Sequence, residues 1–168
     1  MIKIIDNFLK VEDCEKIINL CKISNYCYGE RERLVGSSYT PPTGMTCELN
    51  SNSYITSLFE KNLTNSYLEI KKFYLQRIYI NCFAPSETPY FHIDDKFGIT
   101  CLYYPTETWD CQDGGETQFM IDGEIKGILP LPNRMVIFDA NILHRATCFR
   151  NSHRFTIALK YKKTNFRY

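Results

Sequence analysis

The sequence predicts a mainly β domain of barrel or jelly-roll type with two supporting helices at its N-terminal end. From residue 75 onward the chain breaks into eight short β-like runs punctuated by turn residues. Ahead of them, two stretches repeat apolar residues at helical spacing. The length, 168 residues, suits one domain with one core. At 44% hydrophobic and 23% charged residues the composition is globular, which excludes disordered, collagen-like and coiled-coil chains. Twenty basic against nineteen acidic side chains, net +1, lack the positive field of a dedicated nucleic-acid binder.

Taken in order, residues 2–9 read as a short strand, and Val11, Cys14, Ile17, Ile18 and Cys21 then mark a helix over 11–23. Residues 28–52 turn polar, with Gly29, Gly36, Pro41-Pro42 and Gly44 as breakers, and form a long loop that has room for short strands. Its Arg31-Glu32-Arg33 cluster is a solvated surface. Ile55, Leu58, Phe59, Leu63, Tyr67 and Ile70 predict a second helix over 54–73. Strands are expected at 75–83, 89–94, 98–105, 116–121, 124–129, 134–139, 143–148 and 154–162, with Asp122-Gly123 as a hairpin turn. One domain thus spans 1–168: a supporting part (1–74), a β core (75–162) and a basic tail (163–168).

Eight cysteines could frame a secreted disulfide scaffold. The start of the chain has no basic segment followed by an apolar run, no Cys-x-x-Cys occurs, and Cys14, Cys21, Cys82 and Cys101 fall at core positions. Reduced thiols in a cytoplasm are therefore expected, host cytoplasm if the source is viral. Abundant Ile, Asn, Lys and Tyr with only four alanines fit an A/T-rich bacterial or viral genome. No apolar run has the ~20 residues of a membrane span, and the chain is expected to act as a monomer.

Only three histidines occur, His92, His144 and His153. On a strand, His92 and Asp94 would point to one face and present imidazole and carboxylate to one metal. His144, at the head of another run, supplies a third ligand. Two histidines and a carboxylate form the facial triad of non-haem Fe(II) oxygenases, whose open positions admit cosubstrate and dioxygen. A lone His-x-Asp is a weak signal, and two ordinary packed histidines are its plain rival. The context sharpens it. Arg154 shares a strand face with Thr156, Ala158 and Lys160, opposite Phe155, Ile157 and Leu159. Inside a barrel that arginine needs an anion, and a bound dicarboxylate would pair with it bidentately; a cross-strand ion pair is the alternative. Tyr104 offers a hydroxyl to the same carboxylate, and Thr117 can line the same pocket. His153 sits on the outer face, Trp109 and Asp110 shape a loop, and Asp95 is an outward turn residue.

His92-x-Asp94, Gly114-Gly115-Glu116-Thr117, His144 and Arg154, in this order and spacing, resemble the prolyl 4-hydroxylase type of 2-oxoglutarate- and Fe(II)-dependent dioxygenases. The stretch from Thr100-Cys101-Leu102-Tyr103-Tyr104 to Gly114-Gly115 is similar to the hypoxia-type prolyl hydroxylases. The resemblance covers about residues 75–162, with "IKIIDNFL" similar to the start of small members. It implies a double-stranded β-helix, with His92, Asp94 and His144 as iron ligands and Arg154 at the base of the 2-oxoglutarate pocket beside Tyr104. It also implies hydroxylation of a C–H bond by dioxygen, with 2-oxoglutarate decarboxylated to succinate and ascorbate in support. Asp94 is intact, whereas halogenating relatives carry a small residue there. Phe83 stands near a position where relatives have tyrosine, and Lys160 at one that is often aromatic, near the entrance. The implied substrate is a prolyl residue of a peptide or protein, with the 28–52 loop as a flap. A free amino acid or small molecule is the alternative. A non-catalytic cupin-like binding module and a purely structural β domain are the rivals from other classes, and a simple metal-binding cupin has no need of Arg154.

Overall fold

The computed structural model describes residues 1–29, 41–51 and 53–163. The Arg31-Glu32-Arg33 cluster, Gly36 and the tail beyond Lys163 lie outside the described residues. Among the described residues there are ten strands and two α-helices: β1 Ile2–Ile5, α1 Val11–Ile23, β2 Cys27–Tyr28, β3 Met45–Glu48, α2 Tyr54–Ser66, β4 Phe73–Phe83, β5 Ile99–Tyr104, β6 Thr117–Ile121, β7 Glu124–Ile128, β8 Arg134–Asp139, β9 His144–Ala146 and β10 Arg154–Lys163. All pairings are antiparallel. One sheet runs β1-β8-β5-β10-β4-β3-β2, and a smaller one runs β7-β6-β9.

The large sheet lies between two apolar layers. On one face Ile78, Ile80, Cys101, Ile137, Ile157 and Leu159 pack against Ile17 and Cys21 of α1 and Phe59 and Leu63 of α2. On the other, Tyr79, Leu102, Tyr104, Val136, Phe138 and Ala158 meet Phe119 of the small sheet. Because side chains alternate along a strand, β10 divides its residues between the layers, as its alternation predicts. This helix-backed pair of antiparallel sheets is the expected double-stranded β-helix.

Helix α1 has the predicted bounds. Glu12 and Asp13 lie in its first turn and Lys22 in its last, which suits the helix dipole. Ser53 caps α2 by accepting from Thr56 N at 3.2 Å. This helix ends earlier than predicted, because Tyr67 leaves helical geometry (φ −145°) and a 3₁₀ turn, Leu68–Lys72, takes over. The apolar spacing of Leu63, Tyr67 and Ile70 continues through that break, and it masked the helix end. β1 is shorter than 2–9, since Asn7 at φ 53° turns the chain out of the strand.

The largest correction concerns 89–94, which forms no strand. His92 makes an isolated bridge with His144, and Asp94 N and Asp95 N both donate to Ala140 O, at 2.9 and 3.2 Å. These bonds, rather than a strand ladder, hold the segment against His144 and Ala140. The polar loop does carry short strands: β3 pairs with the outer edge of β4, and β2 with β3. Gly44, at φ +67°, lies so close to the Phe83 ring that a Cβ there would come within 2.5 Å of it. All eight cysteines are free thiols, with Cys21, Cys82 and Cys101 buried. Among the described residues no helix is long and apolar enough to cross a membrane.

Phe59 is fully buried between α2 and the large sheet, whereas Val11 is 76% exposed. Phe59→Ala is expected to lower the unfolding free energy by roughly 3–5 kcal/mol and Val11→Ala to change it by no more than ~0.5 kcal/mol. Urea titrations followed by circular dichroism will separate the two; equal losses would contradict the helix packing.

Candidate active site

The expected triad forms, although by a different backbone route from the one the sequence suggested. One ligand atom from each of His92, Asp94 and His144 lies within 4.8 Å of the others. His92 Nε2 is 3.6 Å from Asp94 Oδ1, and His144 Nε2 is 3.6 Å from Asp94 Oδ2. The bridge between the two histidines holds them in register through reciprocal N–H to carbonyl bonds of 2.9 Å. Each ring turns its Nδ1 to a backbone carbonyl: His92 to Tyr90 O at 3.0 Å, and His144 to Ile142 O at 2.8 Å. A carbonyl only accepts, so Nδ1 carries a proton in each ring, and Nε2 is the atom left to ligate a metal. Phe119 and Phe138 pack against the His144 ring.

Electrostatics favour the ligating forms. Burial pushes His144 down to about 3, so its imidazole is neutral near pH 7. For Asp94, burial acts upward, but Lys160, His144 and His92 outweigh it and hold the carboxyl well below the usual range. Asp94 Oδ2 accepts from the Thr100 hydroxyl and lies 2.5 Å from Lys160 Nζ. Two imidazole nitrogens and an ionised carboxylate are a donor set that fits Fe(II).

Arg154 lines the same cavity and is 1% exposed. Its Nε donates to Gly115 O and its Nη2 to Thr117 Oγ1, both at 2.8 Å. Tyr104 also donates to Thr117 Oγ1, at 2.7 Å. The expectation that Tyr104, Thr117 and Arg154 share one spot holds, with Thr117 at the junction. The Gly114-Gly115 turn is part of this arrangement. Both glycines have positive φ, and a Cβ on Gly115 would come within 2.1 Å of the Phe149 ring. Only glycine lets the carbonyl of residue 115 face the guanidinium there. No carboxylate is ion-paired with Arg154 among the described residues, so the cross-strand salt bridge is set aside. Its charge meets only neutral acceptors, and a cavity wall of this kind fits an anion.

The cavity lies between the sheets, where His92, His144, Thr117, Thr100 and Arg154 line it together. Lys160 lines it, with its ammonium 5.8 Å from the centroid of the Tyr79 ring. Phe83 lines it beside Arg154, its partner across β4 and β10. Three further residues singled out in the sequence lie around this site. His153 is exposed and stacks on Phe155, and Trp109 Nε1 donates to Gly114 O at 2.9 Å, tying the loop. Asp95 accepts from Lys96 N and Phe97 N in a turn. Thr100 is the residue that sequence reasoning missed; it shares strand parity with Leu102 and Tyr104, and that parity was the available signal.

Residues 80–161 match the family model described as 2OG-Fe(II) oxygenase superfamily. Over this span, which takes in most of the β core, the chain is similar to that superfamily. A comparison with curated proteins found no match. Among solved structures, it is similar to a prolyl-4-hydroxylase of Pseudomonas putida: 13% identity, 98% of this chain and 93% of that one covered, TM-score 0.70. It is also similar to a prolyl hydroxylase of Trichoplax adhaerens in complex with a hypoxia inducible factor peptide fragment, at 18% identity, coverage of 96% and 83%, and TM-score 0.72. HygX of Streptomyces hygroscopicus, with nickel, 2-oxoglutarate and hygromycin B bound, is 8% identical, with coverage of 98% and 83% and a TM-score of 0.69. At such identities the likeness establishes the double-stranded β-helix fold.

The buried neutral His144 gives a pH test. In the unfolded chain the imidazole takes up a proton below its ordinary 6.5, while the folded protein refuses it until about 3. Stability of the metal-free protein therefore falls with pH through this window, by about 1.4 kcal/mol per pH unit. Unfolding titrations of wild type and His144→Gln from pH 6.5 to about 5 should converge by roughly 2 kcal/mol; parallel profiles would contradict a buried neutral imidazole.

Proposed function

We propose that this protein hydroxylates a prolyl residue of a peptide or protein, with His92, Asp94 and His144 holding Fe(II), and Arg154, Thr117 and Tyr104 holding 2-oxoglutarate. The observation that carries the reading is the buried Arg154. A guanidinium whose hydrogen bonds go to neutral acceptors, in the cavity that His92 and His144 also line, asks for a ligand with a carboxylate at its far end from the metal. Bound at the triad, Fe(II) supplies the chemistry that couples oxidative decarboxylation of 2-oxoglutarate, to succinate and carbon dioxide, with transfer of one oxygen atom from dioxygen to the substrate.

The chain's own contribution is positional and electrostatic. His92 and His144 offer Nε2 in fixed orientations, and Thr100 orients the Asp94 carboxylate. Thr117 accepts from both Arg154 and Tyr104, which occupies its lone pairs and leaves its hydroxyl proton to donate to a carboxylate beside the guanidinium. Tyr104 then acts through Thr117. Phe119, Phe138 and Leu102 help keep water from the cavity.

Support for a prolyl substrate comes from the resemblance of the motifs and from the prolyl hydroxylases among the structural neighbours. The likeness to HygX, whose structure holds hygromycin B, favours a second reading, the same chemistry on a small molecule.

The Fe(II)-loaded protein, given 2-oxoglutarate, ascorbate and a panel of proline-containing peptides, is expected to form succinate and to add one oxygen atom to a peptide by mass spectrometry. Absence of iron-dependent succinate together with absence of 2-oxoglutarate binding would overturn the reading; oxidation of free amino acids alone would select the second. Arg154→Ala should weaken 2-oxoglutarate binding by ~30-fold or more, the scale of removing one member of a buried charge pair, while leaving metal affinity within about threefold. Equal loss of both would contradict the assignment.

A further inference from the structure

Lys160 stands on the inner face of β10, beyond Arg154, Thr156 and Ala158. Across β5 its partner is Thr100, and both side chains meet the same atom, Asp94 Oδ2. The lysine is well covered, its side chain 18% exposed, with Tyr79 beside it. An exposed lysine would swing away from a carboxylate at little cost, but one anchored on a central strand stays near the cavity whatever binds there. Two fixed cations, Arg154 and Lys160, thus line one cavity, and the nearer of them sits on the Asp94 carboxylate.

This arrangement has consequences of opposite sign for cations and anions. A divalent cation at the triad must draw on a carboxylate that the ammonium already neutralises, and the two positive charges repel at short range. Once a cation has taken Asp94, the ammonium and the cation share the charge of that one carboxylate. A carboxylate bound next to the metal relieves both penalties.

Resting on the function proposed above, we propose that Lys160 makes metal and carboxylate binding cooperative: its ammonium weakens binding of the metal alone and strengthens binding of a carboxylate beside the metal. The residue acts as a second anion anchor, separate from Arg154, and it biases the centre against holding a metal without an anionic ligand. Its partner is the carboxylate nearest the metal rather than the distal one.

The test uses Mn(II) titrations of the full chain, followed calorimetrically, alone and with either 2-oxoglutarate or oxalate. Oxalate chelates a metal through both of its carboxylates and so has no distal carboxylate to offer Arg154. Lys160→Met is expected to bind Mn(II) alone about tenfold more tightly than wild type, and the Mn(II)-loaded variant to bind both 2-oxoglutarate and oxalate about tenfold more weakly. Lys160→Gln should match it, guarding against a fold defect in either variant, and Lys160→Arg should stay within about threefold of wild type in the anion titrations. Unchanged or weaker metal binding in the two neutral variants, or unchanged oxalate binding, overturns the proposal, as does failure of arginine to substitute. A wild-type protein that binds neither Mn(II) nor 2-oxoglutarate would overturn the proposed function itself, an outcome readily told from the others.

Discussion

A permanent positive charge between two β-sheets is the constraint around which the cavity is organised. Arg154 cannot shed its proton, and burying an unpaired guanidinium costs several kcal/mol. The fold offsets part of that cost with neutral acceptors, the Gly115 carbonyl and the Thr117 hydroxyl. Each requires further structure. The carbonyl faces inward because two consecutive glycines take positive φ and Gly115 presses on Phe149. The hydroxyl is aimed because β6 pairs with β9, and Tyr104 of β5 donates to it. The Gly-Gly turn, the tyrosine and the threonine are best understood as one support for one charge, completed by an anionic ligand.

The metal end is built by another means. Strands carry Arg154, Thr117 and Tyr104, but His92 and Asp94 come from a segment outside the strands, pinned by backbone hydrogen bonds to His144 and Ala140. Such a segment can angle two side chains toward a third in a way that a flat strand face cannot. Pairing of both Nδ1 atoms with carbonyls fixes the tautomer, and burial of His144 keeps it neutral, so the donor geometry is prepared ahead of any ion. Lys160 links the two ends, because it shares a strand face with Arg154 and an oxygen atom with Thr100.

Much of this was legible in the sequence because it rests on period-2 alternation. The β10 pattern assigned Arg154 and Lys160 to one layer and Ile157 and Leu159 to the other, and the sheets agree. With three histidines in the chain, the triad left little to choose among. Alternation misled at 89–94, where Tyr90, His92 and Asp94 share parity as a strand would require, yet the segment makes only an isolated bridge. Periodicity also ran on through the end of α2, since a 3₁₀ turn can continue an apolar face that an α-helix began. Thr100 escaped notice because a threonine in an apolar run reads as an ordinary β-former. The Lys160–Asp94 contact joins residues far apart in the chain and follows from neither pattern nor propensity.

The central claim is that one cavity holds a metal on the triad and a dicarboxylate on Arg154 at the same time. A crystal structure of the protein grown anaerobically with Mn(II) and 2-oxoglutarate tests it most directly. The account predicts metal density bonded to His92 Nε2, His144 Nε2 and an Asp94 oxygen, with the distal carboxylate paired to Arg154 and within hydrogen-bonding reach of Thr117. Metal bound away from these three residues, or 2-oxoglutarate lying outside the cavity with Arg154 still held only by Gly115 and Thr117, would contradict it.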